Sequence, residues 1–211
     1  GWKAGKAVEY AREQVGALIG ARFRDVVFTS GATESNNLAI KGVARAAPSN
    51  RRHLVTVCTE HRAVLDPCLA LEREGFQTTF LGVDGDGRID LDRLRDAVSD
   101  RTLLVSAMSA NNEIGVLHPL AEIAAIAHEH GALFHCDAVQ SAALAAMNVQ
   151  ALGIDLVSLS AHKMYGPKGA GALYVAKRNP SIDLAPLIDG GGHERGHRSG
   201  TLNVPAIVGF G

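Results

Sequence analysis

Short, apolar, β-branched runs alternate along this chain with longer stretches whose apolar residues recur at helical spacing. The runs VVFTS (26–30), HLVTVC (53–58), TTFLGV (78–83), TLLVSAM (102–108), ALFHCDA (132–138), DLVSLS (155–160) and GALYVA (171–176) read as strands. Residues 2–20, 33–47, 62–74, 90–98 and 119–130 place apolar side chains at i, i+3 and i+4 and predict helices. The last of these has Pro119 near its start and Gly131 just past its end, the arrangement a helix tolerates best. Strands alternating with helices predict an α/β fold in which a mostly parallel sheet is sandwiched by helices. No internal repeat or low-complexity linker interrupts the pattern. Gly1 stands at the edge of a helix without a capping residue, and VPAIVGFG stops inside an apolar helical start. The expectation is therefore that residues 1–211 are one incomplete domain of a longer chain.

Ligands of open α/β sheets bind beyond the carboxyl ends of the strands, so the residues following each strand are the first place to look for chemistry. The first strand runs into Gly31-Ala32-Thr33-Glu34, a glycine turn that opens a helix and suits a phosphate through its backbone N–H groups. TLLVSAM runs into SANNEIG with Asn111, Asn112 and Glu113, and ALFHCDAVQ delivers Asp137 and Gln140. DLVSLS delivers Ser160, His162 and Lys163 before the loop GPKGAG. A lysine at the end of a covered strand is costly unless an amine is needed there. One mouth would thus collect an anion cradle, a carboxylate, amides, an imidazole and an amine. Pyridoxal 5'-phosphate (PLP) chemistry needs that set: an amine for the Schiff base, a carboxylate for the protonated pyridine nitrogen, and a helix start for the phosphate. Lys163, Asp137 and Gly31–Thr33 meet the three needs.

Composition narrows the field. The chain is 46% hydrophobic and 20% charged, enough for a substantial core, and its net charge of -1 gives no basic field for nucleic acid or an anionic membrane. No apolar run is long enough to span a bilayer. The three cysteines, Cys58, Cys68 and Cys136, form no CxxC pair and predict free thiols in a cytoplasmic setting.

The stretches TSGATESNNLAIKG, TEHRAVL, NNEIGVLHPL, HCDAVQSAA, SLSAHKMYGPKGAGALYV and GGGHERGHRSGTLN resemble, in order and spacing, the cysteine desulfurases of iron–sulfur cluster assembly, a group of class V aminotransferase-type PLP enzymes. The resemblance implies the large PLP-binding domain of the aspartate aminotransferase-like fold, with the N-terminal segment and the C-terminal small domain absent. It implies a homodimer that takes sulfur from L-cysteine as an enzyme persulfide, leaves L-alanine, and hands the sulfur to a scaffold protein. Position by position, it places Ala32, Thr33, Ser160 and His162 at the cofactor phosphate. Lys163 becomes the Schiff-base lysine and Asp137 the pyridine partner. Gln140 and Asn112 fall near the ring hydroxyl and the substrate, while His61 stacks on the ring and shuttles protons. Thr201 reaches the phosphate across the dimer interface. The nucleophilic cysteine of the group lies beyond Gly211, so the chain alone is expected to be inactive. Cys58 is expected inside its strand, Cys68 on a helix, and Cys136 on the strand face opposite Asp137.

Other readings remain at this stage. A selenocysteine lyase or aminotransferase of the same group would use the same cofactor residues, and a non-catalytic scaffold would keep the fold without the chemistry. HERGH (193–197) satisfies the H-E-x-x-H pattern of zinc hydrolases, but glycines precede and interrupt it where a helix is required, so no metal is expected. GVDGDGRIDLDR echoes a calcium loop, yet aligning Gly87 puts Gly82 and Arg93 where carboxylates belong, which leaves a hairpin or αβ turn. His53, His118, His128, His130 and His135 are read as structural.

Overall fold

Seven strands form one sheet in the computed structural model, which describes residues 1–211. They are β1 (Val26–Thr29), β2 (His53–Val57), β3 (Gln77–Leu81), β4 (Thr102–Ser106), β5 (Leu133–Asp137), β6 (Leu156–Ser160) and β7 (Gly171–Val175). The order across the sheet is β1-β7-β6-β5-β4-β2-β3. Neighbours from β3 to β6 are parallel, whereas β7 is antiparallel to both β6 and β1, so β1 to β6 all point one way. The expected mostly parallel sheet is present, with β7 its one reversed strand.

A strand covered on both faces has no polar side to show, which is why these runs are apolar without alternation. β1, β4 and β6 are buried at every position. Helices α1 (Trp2–Leu18), α4 (Leu91–Ala97), α5 (Leu120–Glu129) and α6 (Val204–Phe210) cover one face. There Val15, Leu94, Ile123 and Ile207 pack on Phe28, Val57, Val105 and Phe134. Helices α2 (Ala32–Ala46) and α3 (Arg62–Glu72) cover the other. On that side Leu38, Val43, Val64 and Leu71 pack on Val27, Leu54, Leu104 and Leu156. Truncating a side chain such as Leu104, 1% exposed, would cost about 2–5 kcal/mol through lost burial and the cavity left behind.

Two details differ from or refine the sequence pattern. β2 ends at Val57, so Cys58 is exposed rather than inside the strand. The chain turns there: Cys58 N–H donates to Leu81 O at 2.8 Å and Glu60 N–H to Val57 O at 3.2 Å. The calcium-like stretch is a tight turn, in which Asp84 Oδ1 accepts from the N–H groups of Asp86 (2.9 Å) and Arg88 (2.8 Å) and Val83 bridges Ile89.

The α2/α3 face turns polar toward the strand ends. His135 is fully buried between strands, with Nδ1 2.8 Å from Ser106 Oγ and Nε2 3.0 Å from Ser158 Oγ, so a hydrogen-bonded chain crosses β4, β5 and β6. Burial pushes the imidazole down to about 3 and keeps it neutral. The unfolded chain takes up this proton near pH 6.5 and the folded chain only near 3, so the stability involved is complete above about pH 6.5 and is lost on acidification toward 3. The loss approaches roughly 1.4 kcal/mol per pH unit inside that window. Calorimetric melting from pH 8 to 4 should therefore show a steeper acid decline for the unmodified protein than for His135→Asn. Glu60 and Asp137, whose pKa values are raised by burial, act in the opposite sense in both proteins and cancel from the difference. Identical acid slopes would refute the assignment.

Candidate active site

At the carboxyl ends of β1, β2, β4, β5 and β6 lies a cavity of about 560 Å3, within the range of small-molecule sites. Its first wall is the turn between β1 and α2. Gly31 has φ 150 and ψ 179, a conformation reserved for glycine, and it precedes α2 without any side-chain cap. The first intrahelical bond is donated by Ser35 to Gly31 O, which leaves the N–H groups of Ala32 and Thr33 free at the positive end of a 15-residue helix. Both residues line the cavity. Gly171 at the start of β7 is pressed against this turn: a Cβ there would stand 2.6 Å from Gly31 Cα and 2.7 Å from Leu159 O. Two glycines thus shape one anion cradle.

The floor is Asp137, 7% exposed, at the end of β5. Its Oδ2 accepts from Asn36 Nδ2 at 2.7 Å and its Oδ1 from Val139 N–H at 3.1 Å. Desolvation raises its pKa, while Asn36, Val139 and the field of His61 pull it back. No lysine or arginine pairs with it. Asn36 lines the same cavity and was not singled out from sequence; its Oδ1 is enclosed and unpartnered. Gln140, half-buried, lines the wall beyond Asp137. Cys136 packs with the opposite core, and burial raises its thiol pKa far above the ordinary value.

His61 and Asn112 close the other side. His61 caps α3, its Nδ1 accepting from Ala63 N–H at 3.0 Å, so the neutral ring carries its proton on Nε2. Of the two asparagines, Asn111 is structural: it donates to Thr59 O at 3.0 Å and accepts from the N–H groups of Glu113 and Ile114, which leaves Asn112 exposed on the cavity.

Beyond β6 a single 3-10 turn, Ala161–Lys163, carries His162 and Lys163 to the cavity. Ser160 does not line it but lies buried beneath, with Oγ 2.9 Å from His162 Nδ1. Lys163 is exposed, contrary to the buried amine expected from its strand, because the turn lifts it past the sheet edge into open cavity. Lys168, from the GPKGAG loop, lines the cavity as well. Thr201 is exposed and outside this chain's own cavity.

HERGH forms no zinc helix. It makes a short turn in which Glu194 and Arg195 have φ of 50 and 58. Glu194 is committed elsewhere: its oxygens accept from Arg12 at 2.6 and 2.7 Å and from Phe28 N–H at 2.6 Å. Arg198 in the same loop pairs with Glu34 at 2.8 Å, tying the RSGT segment to the first turn of α2.

An open, six-strand-parallel sheet with an anion cradle, a cation-seeking carboxylate and an amine at its carboxyl edge defines the PLP-binding class of α/β proteins. The class-V aminotransferase family model matches residues 1–211, and the chain belongs to that family of PLP-dependent enzymes. Over its whole length it is 61% identical to a protein of Anaeromyxobacter sp. (strain Fw109-5) and 54% identical to one of Ehrlichia chaffeensis, each named cysteine desulfurase IscS. It spans about half the length of these curated relatives, 52% in both cases. Among solved structures, a NifS-like protein superposes with a TM-score of 0.95 at 40% identity, covering all of this chain and 57% of that one. SspA in complex with cysteine gives 0.94 at 44% identity over 99% of this chain and 60% of that one.

The Arg12–Glu194 pair yields a direct test. Removing one partner of a buried ion pair leaves an uncompensated charge and costs about 3–5 kcal/mol. Arg12→Ala and Glu194→Ala should each lower the unfolding free energy read from urea titration by that much, whereas His193→Ala, whose ring only accepts from Gly200 N–H at 3.3 Å, should cost under about 1 kcal/mol. Equal losses at all three positions would contradict this division of labour.

Proposed function

We propose that this chain carries the cofactor half of a PLP-dependent cysteine desulfurase, converting L-cysteine and an enzyme thiol into L-alanine and an enzyme persulfide that feeds iron–sulfur cluster assembly. The observation that carries the reading is the convergence, at one cavity, of Lys163, Asp137 and the free N–H groups of Ala32 and Thr33. When bound, PLP supplies an electron sink for negative charge developing at the substrate Cα.

The chain's own groups have separable parts in this. The Ala32 and Thr33 N–H groups, with the helix dipole behind them, bind the phosphate. Ser160 orients His162 for the same task through the bond to its Nδ1. Lys163 would hold the cofactor and is the group placed to move the Cα proton. Asp137, oriented by Asn36, holds the proton on the pyridine nitrogen by placing an opposite charge in a water-poor floor. His61 would lie against the ring and offer the proton on Nε2, while Gln140 and Asn112 would be placed for the ring hydroxyl and the substrate.

The thiol that takes the sulfur is not one of the three in these 211 residues. None of them lines the cavity. Cys68 is buried on α3, where desolvation pushes its pKa to about 12, and Cys136 faces the opposite core. A persulfide-forming thiolate needs both access and ionisation. Cys58 has access but sits outside the cavity. The exposed Thr201, which does not line the cavity of its own chain, supports a homodimer in which each subunit completes the other's phosphate site. The free thiols support a cytoplasmic setting, and no helix is long and apolar enough to cross a membrane.

Loading with PLP, reduction with borohydride and peptide mass mapping should place the pyridoxyl group on Lys163, and Lys163→Ala should abolish it. A label on Lys168 would overturn the assignment. Asp137→Asn should keep the fold and slow exchange of the substrate α-proton by orders of magnitude. Serine replacements of Cys58, Cys68 and Cys136 together should leave sulfide release by the protein at its natural length within about twofold, and a loss beyond tenfold would place the nucleophile among them.

A further inference from the structure

Behind the cavity wall, bonded to the cavity-lining Met108, lies a further buried carboxyl group. Glu60 lies in the turn between β2 and α3, one residue before His61, and is 5% exposed. Its Oε1 accepts from Met108 N–H at 2.5 Å, and its enclosed Oε2 has no partner. No cation compensates it; the field of Asp137, of like sign, reaches it, and it in turn acts on the buried thiols Cys68 and Cys136. Asp137, in contrast, has the Asn36 amide and the Val139 N–H on its two oxygens and feels the attractive field of His61.

Two neighbouring carboxylates removed from water repel each other, and each loses several kcal/mol of hydration that only a cation or several donors restore. The donors are distributed unequally, two to Asp137 and one to Glu60. We propose that Glu60 is a neutral carboxylic acid in the folded protein and a positioning residue: it fastens the His61 turn to Met108, just before the loop that carries Asn112, and leaves Asp137 as the single negative charge beneath the ring. Burial, which pushes the Glu60 carboxyl well above the usual range, acts in the same direction. A floor with one negative charge matches a ring with one positive nitrogen. A second negative charge there would oppose the electron density that the ring would draw in from the substrate Cα.

The positioning role rests on the PLP reading; the protonation state does not, and the experiment separates them. In cofactor-free protein at its natural length and neutral pH, infrared difference spectra should show a protonated-carboxyl C=O band that Glu60→Gln removes. Absence of that band overturns the proposal whatever the cofactor does. In the PLP-loaded protein, Glu60→Gln should keep cofactor affinity within about twofold and leave the pH profile of the visible absorption unchanged, since it replaces one neutral acceptor by another. Glu60→Ala, which strands the Met108 N–H, should weaken PLP binding about tenfold or more. A Glu60→Gln profile displaced as far as that of Asp137→Asn would mean that Glu60 carries charge, and the proposal would fall. Failure of the unmodified protein to bind PLP would instead overturn the functional reading and leave the infrared band to decide the protonation state.

Discussion

A carboxylate at the end of a strand covered on both faces cannot stay charged without donors and an opposite charge, and the arrangement around Asp137 follows from that demand. Its side-chain donor, Asn36, is on α2, so α2 must cross the sheet close to β5 and β6. The helix then has to begin immediately beyond β1, and the link from strand to helix is the extended-glycine turn at Gly31. Because β7 lies between β1 and β6, its first residue meets that turn, and only Gly171 leaves room. The anion cradle is therefore a by-product of the same geometry that solvates the carboxylate. No lysine or arginine of the chain pairs with Asp137, so its charge is supported only by two hydrogen-bond donors and the field of His61.

Much of the fold and the cavity lining was legible because each depends on local pattern. Covered strands read as unbroken apolar runs, and Lys163, Asp137, Asn112 and Thr33 stand where such runs end. What escaped depends on partners distant in the chain. Asn36 and Asp137 are 101 positions apart, and Glu60 reaches Met108 across 48, so neither bond leaves a periodic trace. The role of Glu194 required Arg12, 182 residues earlier, before HERGH could be read as a clamp. The reversal of β7 was equally hidden, since GALYVA is as apolar in one direction as in the other. Cys58 was misplaced by a single residue at a strand end, where the chain turns and exposure changes at once.

The polar chain through Ser106, His135 and Ser158 lies on the same face as Asp137 and just below it. Hydroxyls on both flanking strands bind one neutral ring, so β4, β5 and β6 are held in register at the height where they deliver their functional ends. A slip of one residue would turn His135 and Asp137 into the opposite, mostly apolar core. The network thus ties strand alignment to the position of the site's carboxylate.

The segment that presents the amine is anchored at both ends in adjacent antiparallel strands, with β6 closing at Ser160 and β7 opening at Gly171. Inside it, the N–H groups of Met164 and Gly166 both bond to Ala161 O, and a Cβ at Gly166 would lie 2.9 Å from that oxygen. There is no slack. Over generations, the turn at 84–88, exposed except at Gly87, is freer to gain or lose residues, as surface loops generally are, than the span from Ala161 to Ala170. Length, more than the identity of any one side chain, is what descent from a common ancestor should have preserved between β6 and β7.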